Sequence, residues 1–223
     1  MSLIRHRSIG FRTNSTFLHR TAAADGGERA QLNAQARKMT TTTLEKPAKT
    51  EARVKASDPI YGAILDFLID EAAMLDDDRH AEWLDCLADD IIYRMPLRNT
   101  LYRRDGAGFD ERSNHWLDNR QSLAMRVQRT RDVPSAWDRD PAPRIRRLVT
   151  NLVVHETDTL GEYAATTYLL LLRNRFEAPG YDMLTAKRED SIRRGSDGAL
   201  KLARRLVLLD QAALGAVYIN VFM

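Results

Sequence analysis

The feature that most restricts this chain is a change of period at Arg144. From there, four long segments alternate partly with period two: Arg144–Thr157, Glu162–Glu177, Asp182–Arg194 and Leu200–Leu209. Gly161, Pro179-Gly180 and Gly195-Ser196-Asp197-Gly198 punctuate them as turns. Turns this short join antiparallel neighbours. Upstream of Arg144 the dominant period is helical. Ser57-Asp58-Pro59 sets a capping acid before a proline at the first helical position. Ile60, Ile64, Phe67, Leu68 and Leu75 then recur as one buried stripe. Helices first and strands last predict an α+β domain, its N-terminal helices packed in a strongly curved, mostly antiparallel mixed sheet.

Between these halves the pattern predicts smaller pieces. Asp76-Asp77-Asp78 is expected to end the first helix and to cap a second, where acids meet the positive end of the helix dipole. The apolar face of that second helix would be Trp83, Leu84 and Leu87. Asp90 to Leu97 alternates and predicts a strand, and Arg103 to Glu111 reads as a loop. Ser113 is expected to cap a third helix through Arg129, with Trp116, Leu117, Leu123, Ala124 and Val127 inward. A second loop follows from Asp132 to Pro143.

Charge divides the chain in two. The sequence pI is near 9.1, yet residues 1–57 hold 11 Lys/Arg against 4 Asp/Glu, leaving 23 against 27 for residues 58–223. A mildly acidic folded part argues against a nucleic-acid surface. Residues 1–57 lack a sustained apolar period and are expected to be a disordered basic extension and linker, with the α+β domain at 58–223. The Arg-rich start has the composition of a transit peptide, but the plainer expectation is that translation begins at Met39. No run of 18 apolar residues exists, which excludes a membrane-spanning helix. Cys86 is the single cysteine, so no internal disulfide forms, and a reducing cytoplasm is the expected compartment. A Rieske centre takes two Cys and two His. It cannot be built here.

Three groups of residues could carry chemistry. Asp89, Asp90 and His155 are candidates for an acid/base pair inside the sheet, against the commoner reading of His155 as a structural strand histidine. Arg144, Arg146 and Arg147, with Arg139 before them and Arg173, Arg175, Arg204 and Arg205 after, form basic clusters. Their net negative surroundings favour ion pairing with acids such as Glu189 and Asp190. Carboxylates of another subunit are a further possibility, because the planar guanidinium binds them bidentately. The chain closes on Tyr218-Ile-Asn-Val-Phe-Met223, an apolar end that must be buried in the sheet or against a partner.

In order along the chain stand Leu75-Asp76-Asp77 and Glu82-Trp83; Asp89-Asp90-Ile91 and Tyr93-Arg94-Met95-Pro96; Trp137-Asp138 to Asp140-Pro141; and Arg144 to Val149 before Thr150-Asn151-Leu152. Then come Arg173-Asn174-Arg175, Lys187-Arg188-Glu189-Asp190, Arg204-Arg205 before Leu208-Leu209-Asp210-Gln211, and Asn220-Val221-Phe222. In order, spacing and combination, from about Pro59 to Met223, they resemble the β subunits of aromatic-ring-hydroxylating dioxygenases, the Rieske non-haem iron oxygenases. The chain departs from that pattern in its N-terminal extension and in ending Phe-Met where Phe-Phe is usual.

The resemblance implies a cone-shaped fold similar to ketosteroid isomerase and scytalone dehydratase, with no metal on this chain. It implies a large α subunit carrying a Rieske [2Fe-2S] cluster and a mononuclear iron, joined in a hexamer of three α and three β. It also implies NADH-driven cis-dihydroxylation of an aromatic ring in aromatic hydrocarbon catabolism. Charge, apolarity and position make Trp137, Arg144, Arg146, Arg147, Asp210 and Phe222 the expected subunit-interface residues. Two rivals stand beside this reading: an independent lyase or isomerase using an Asp/His pair, and a non-enzymatic dimeric interaction module.

Overall fold

In the computed structural model, the structure describes residues 52–132, 142–195, 197–213 and 222–223. Helix α1 (Pro59–Asp76) starts as the sequence predicts: the Asp58 carboxylate accepts from the Ile60 N–H at 3.0 Å, and Pro59 occupies the first turn. Its inward face is Ile64, Leu68, Ala72 and Leu75, with one charged residue, Glu71, in the same stripe. The acidic triplet ends the first helix as expected but does not cap the second. Asp76 belongs to the last turn of α1, Asp77 is its C-cap, and Asp78 takes a left-handed φ of 57°. The short helix α2 (His80–Asp85) is capped by Arg79 without a side-chain bond. Trp83 is its buried residue, and Leu87 already belongs to the next strand.

Six strands form one sheet: β1 (Leu87–Arg98), β2 (Phe109–Asp118), β3 (Arg144–Glu156), β4 (Glu162–Asn174), β5 (Asp182–Arg194) and β6 (Leu200–Leu209). Their order is β2-β1-β6-β5-β4-β3. Every neighbouring pair is antiparallel except β1 and β6, which run parallel, so the sheet is mixed. The four C-terminal strands and their turns lie within a few residues of where the period-two pattern predicts them. β3 slips register between Thr150 and Val153, where Asn151 has φ 56°, and β6 carries an extra residue, Ala203, where Arg204 and Leu202 pair with the consecutive Ser191 and Ile192 of β5. Such bulges bend strands. The bend carries the sheet around α1: Tyr61 Oη donates to the Leu152 carbonyl of β3 at 3.0 Å, while Glu71 reaches Arg205 on β6.

Residues 109–118 correct the sequence reading. They form β2, an edge strand on β1, and not the start of a helix from Ser113. The helix begins later, as α3 (Arg120–Asp132). Its cap is reciprocal: the Ser122 N–H donates to Asn119 Oδ1 and the Asn119 N–H donates to Ser122 Oγ, each at 2.9 Å. Ser113 and Asn119 are both good capping types, and pairing with β1 decides between them, as tertiary context often does. Within the expected loop 103–111, Arg103–Asp105 makes one 3-10 turn and Phe109 starts β2. Residues ahead of Asp58 also pair with the sheet. The Val54 N–H donates to the Val154 carbonyl at 3.0 Å and the Glu156 N–H to the Ala52 carbonyl at 3.1 Å, so residues 52–54 run along β3.

Candidate functional site

Placing charged residues at inward positions of a sheet is costly unless each finds a partner. β5 and β6 do so with Arg188, Asp190 and Arg205, all at 0% exposure, and α1 adds Glu71 at 1%. Arg205 is the hub. Its Nη1 and Nη2 donate to Glu71 Oε1 and Oε2 at 2.7 and 2.8 Å, and its Nε and Nη2 donate to Asp190 Oδ1 and Oδ2 at 2.9 Å each. Both contacts are bidentate, the strong geometry for a guanidinium. Trp83 Nε1 donates to Glu71 Oε1 at 3.0 Å. Arg188 lies 3.8 Å from Glu71 Oε2 and donates through Nε to Thr167 Oγ1 at 3.1 Å. Two guanidiniums thus balance two carboxylates.

The same cluster holds the last two residues. Phe222 fits among His80, Trp83 and Trp116, at ring-centroid distances of 5.5, 4.5 and 5.4 Å. Its carbonyl accepts from Arg147 Nε and Nη2 at 3.0 and 2.7 Å. Arg147 is itself paired with Asp76, which also accepts from the Arg147 backbone N–H. Met223 is fully buried. Its N–H donates to Tyr93 Oη at 2.8 Å, and its oxygen accepts from Tyr93 Oη at 2.6 Å and from Arg205 Nη1 at 3.0 Å.

Electrostatics follow from this geometry. Burial pushes the Glu71 carboxyl up, but Arg205 and Arg188 beside it more than offset that and hold it below the usual glutamate range. Burial pushes the Tyr93 phenol up to about 12, so it stays a neutral donor. Desolvation works against the charge on Arg205, but Asp190 and Glu71 outweigh it and raise its affinity for a proton. A general base needs an open lone pair within reach of a substrate proton. Glu71 has neither: both oxygens are taken and the site is closed. The cluster is a brace.

The residues read from the sequence as an acid/base pair are not brought together. Asp89 and Asp90 are exposed; Asp90 pairs with Arg193, and Asp89 lies 3.5 Å from Arg120 Nε. They line an open surface depression of about 540 Å³ with charges of both signs, among them Arg120, Arg193 and Lys201. His155 sits opposite Ala164 on the edge strand β3. β1 and β3 are four strand spacings apart, about 19 Å along the sheet. Among the described residues, no three of His, Cys, Asp and Glu gather as metal ligands, and the Cys86 thiol sits 3.7 Å from the Glu82 carbonyl oxygen. These residues do not fit a Rieske cluster or a mononuclear iron.

The expected interface residues divide. Arg147 and Phe222 are consumed inside the chain, where the Phe222 carbonyl accepts from the Arg147 guanidinium. Arg144 and Arg146 are exposed on β3, Arg144 bonding Asn174 and the Phe176 carbonyl, and Asp210 is exposed after β6. Trp137 lies outside the described residues, as do Arg139, Asp138 and Asp140. The expected ion pairing of the arginines with Asp190 and Glu189 holds for Arg205 with Asp190; Glu189 pairs with Lys187 at 2.7 Å. Sequence reading missed Glu71, Arg188, Tyr93 and Trp83 as members of one site. The available signal was a glutamate in the apolar stripe of α1, three residues after Leu68.

Comparison with known proteins adds the identity of the fold. The chain matches the family model of the ring hydroxylating beta subunit over residues 70–216. The beta subunit of biphenyl 2,3-dioxygenase from Rhodococcus jostii (strain RHA1) is 34% identical over 181 residues, spanning 78% of this chain and 91% of the relative. Naphthalene 1,2-dioxygenase with indole bound in the active site superposes with a TM-score of 0.65 at 23% identity, over 88% of this chain and 98% of that one. A scytalone dehydratase-type protein from Novosphingobium aromaticivorans DSM 12444 shares the fold at 12% identity, with a TM-score of 0.52 over 71% of this chain and 89% of its own. With more than half its length matched by the family model and a relative covered almost end to end, the chain belongs to the β subunits of ring-hydroxylating dioxygenases.

Proposed function

We propose that this chain is the non-catalytic, structural subunit of a terminal oxygenase whose chemistry takes place on a large α subunit. In this reading the α subunit holds the Rieske cluster and the mononuclear iron, and three copies of each chain form the complex in the cytoplasm. The complex adds both atoms of dioxygen to an aromatic ring to give a cis-dihydrodiol, with electrons from NADH through separate carriers. The observation that carries the reading is the interior of the sheet. The position where an enzyme of this shape would keep a polar pocket is filled by the Glu71–Arg205–Asp190 cluster and by Phe222 and Met223. The similar proteins belong to dioxygenases named for biphenyl and naphthalene, which supports an aromatic substrate here.

Arg144, Arg146 and Asp210 remain the candidates for contact with another subunit, together with Trp137. The test is co-expression with the large-subunit gene of the same genome. Native mass spectrometry should find a complex with three of each chain, and ring oxidation should require both. A chain that stays monomeric beside its large subunit, or that turns over a substrate alone, ends the proposal. The lyase and interaction-module readings gain no observation: the Asp/His pair is dispersed, and the matched family is that of an oxygenase component.

A further inference from the structure

An antiparallel sheet normally packs one face on the core and shows water a polar one. β4, the middle strand of the β3–β4–β5 half, does not, and one apolar residue on each neighbour, Leu148 and Met183, extends its outer face. The inner face of the three strands carries Val149, Leu169, Leu171 and Ala186 in the core. On the outer face, register sets Leu148 beside Leu170 and Leu172 beside Met183, with Tyr168 one row further along β4. Leu148, Tyr168 and Met183 are 45%, 48% and 57% exposed. Strands apolar on both faces are the pattern of strands covered on both sides. In these three rows Leu148, Tyr168, Leu170, Leu172 and Met183 are apolar, while Arg146, Thr150, Thr185 and Lys187 border them, so the apolar part of the surface is on the order of 150 Å². A stable interface buries about 800 Å² per partner, so this patch can supply only the apolar centre of one, with a polar rim around it.

The rim is basic. Arg146 shares the row of Leu172 and Met183, and its Nη1 donates to the neighbouring Ile145 carbonyl. Arg144 bonds the Asn174 amide oxygen and the Phe176 carbonyl. Among the described residues neither meets a carboxylate, and both stand beside the apolar rows. A second copy laid face to face would set these arginines against their own kind. The N-terminal extension, with 11 Lys/Arg against 4 Asp/Glu over residues 1–57, would do the same.

We propose that the outer face of β3–β4–β5 is the docking surface for the large subunit, which meets it with an apolar patch rimmed by Asp and Glu. The inference rests on the assembly reading above and adds its location. The test uses the full chain, wild type and variant, co-expressed with a tagged large subunit from the same genome. Met183→Asp and Leu148→Asp place a charge in the centre, and the expected result is a loss of about 100-fold in affinity, the scale of a central contact. Arg146→Glu, at an exposed position, should cost about tenfold and flatten the salt dependence. Circular dichroism should stay that of the wild type for all three.

Variants that fold and bind the large subunit within about twofold of wild type overturn the docking assignment while leaving the assembly reading intact. Variants that change only the self-association of the free chain overturn it in favour of a second copy. A wild-type chain that binds no large subunit removes the assembly reading itself, and the docking surface with it.

Discussion

Arg146 and Arg147 are neighbours on one strand and live in different physical worlds. Arg147 points inward, where it is held by Asp76 and by the Phe222 carbonyl. Arg146 points outward and bonds a neighbouring carbonyl. On β6, Arg204 is half-buried and its neighbour Arg205 is fully buried between two carboxylates. The difference is one of dielectric. Inside, an unpaired charge costs several kcal/mol, so every partner is obligatory. Outside, water screens the charge, and a surface pair contributes about 0–1 kcal/mol. The inner face therefore specifies the fold, and the outer face is free to specify a partner.

This contrast can be broken most sharply at Glu71. Glu71→Ala leaves Arg205 half paired and Arg188 unpaired, and the unfolding free energy in urea should fall by about 3–5 kcal/mol. A loss below about 1 kcal/mol would put the inner cluster on the same footing as the surface. Phe222→Ala comes next. It empties a site between Trp83, His80 and Trp116, and should cost about 3–4 kcal/mol in the same measurement.

pH sharpens the comparison further. The Glu71 carboxyl is held below its ordinary value in the folded chain, so the unfolded chain takes up protons first as pH falls. Its contribution is present above the ordinary glutamate pKa and is lost as pH drops through the folded value. Glu71→Gln should flatten this acid limb of the stability profile. Tyr93 has the opposite sign. Its pKa rises from the usual 10.0 to about 12, so its contribution is present below 10 and is lost as pH climbs toward the folded value. Tyr93→Phe should flatten the alkaline limb and cost about 1–2 kcal/mol at neutral pH, because the Met223 N–H loses its acceptor.

The smallest effect is expected on the outer surface. Asp90→Asn breaks an exposed pair with Arg193 and should change stability by about 0.5 kcal/mol or less. It should leave ring oxidation by the assembled complex unchanged. A large loss of activity in that variant would return Asp90 to the list of working residues.

Much of the architecture was legible because it rests on local chemistry. The Asp58-Pro59 start of α1 and the four strands from Arg144 onward follow from capping preference, period and turn residues, and each was found close to where those rules put it. The pieces that were misread share a cause. Ser113 and the acidic triplet both have the residue types of a helix start, and propensity alone cannot choose between two suitable caps six residues apart. β1 made that choice by pairing with residues 109–118. The candidate site was less legible still. His155, Asp89 and Asp90 were visible as titratable types, but chemistry needs distance, and the strand order separates them.

By itself the sequence determined the class of the fold, the excess of basic residues over 1–57 and of acidic ones over 58–223, and the absence of a thiolate set for a Rieske centre. It also required an apolar chain end to be buried. Only the tertiary structure decided where that end goes. Whether an arginine on a strand faces water or the core depends on a parity that one bulge reverses, as at Thr150–Val153 on β3 and at Ala203 on β6. Glu71, Asp190, Arg205 and Met223 are far apart in the chain and become one site because the sheet curls around α1. Position along the chain carries no information about that meeting, and the energy of burying four charged groups together exists only once it has happened.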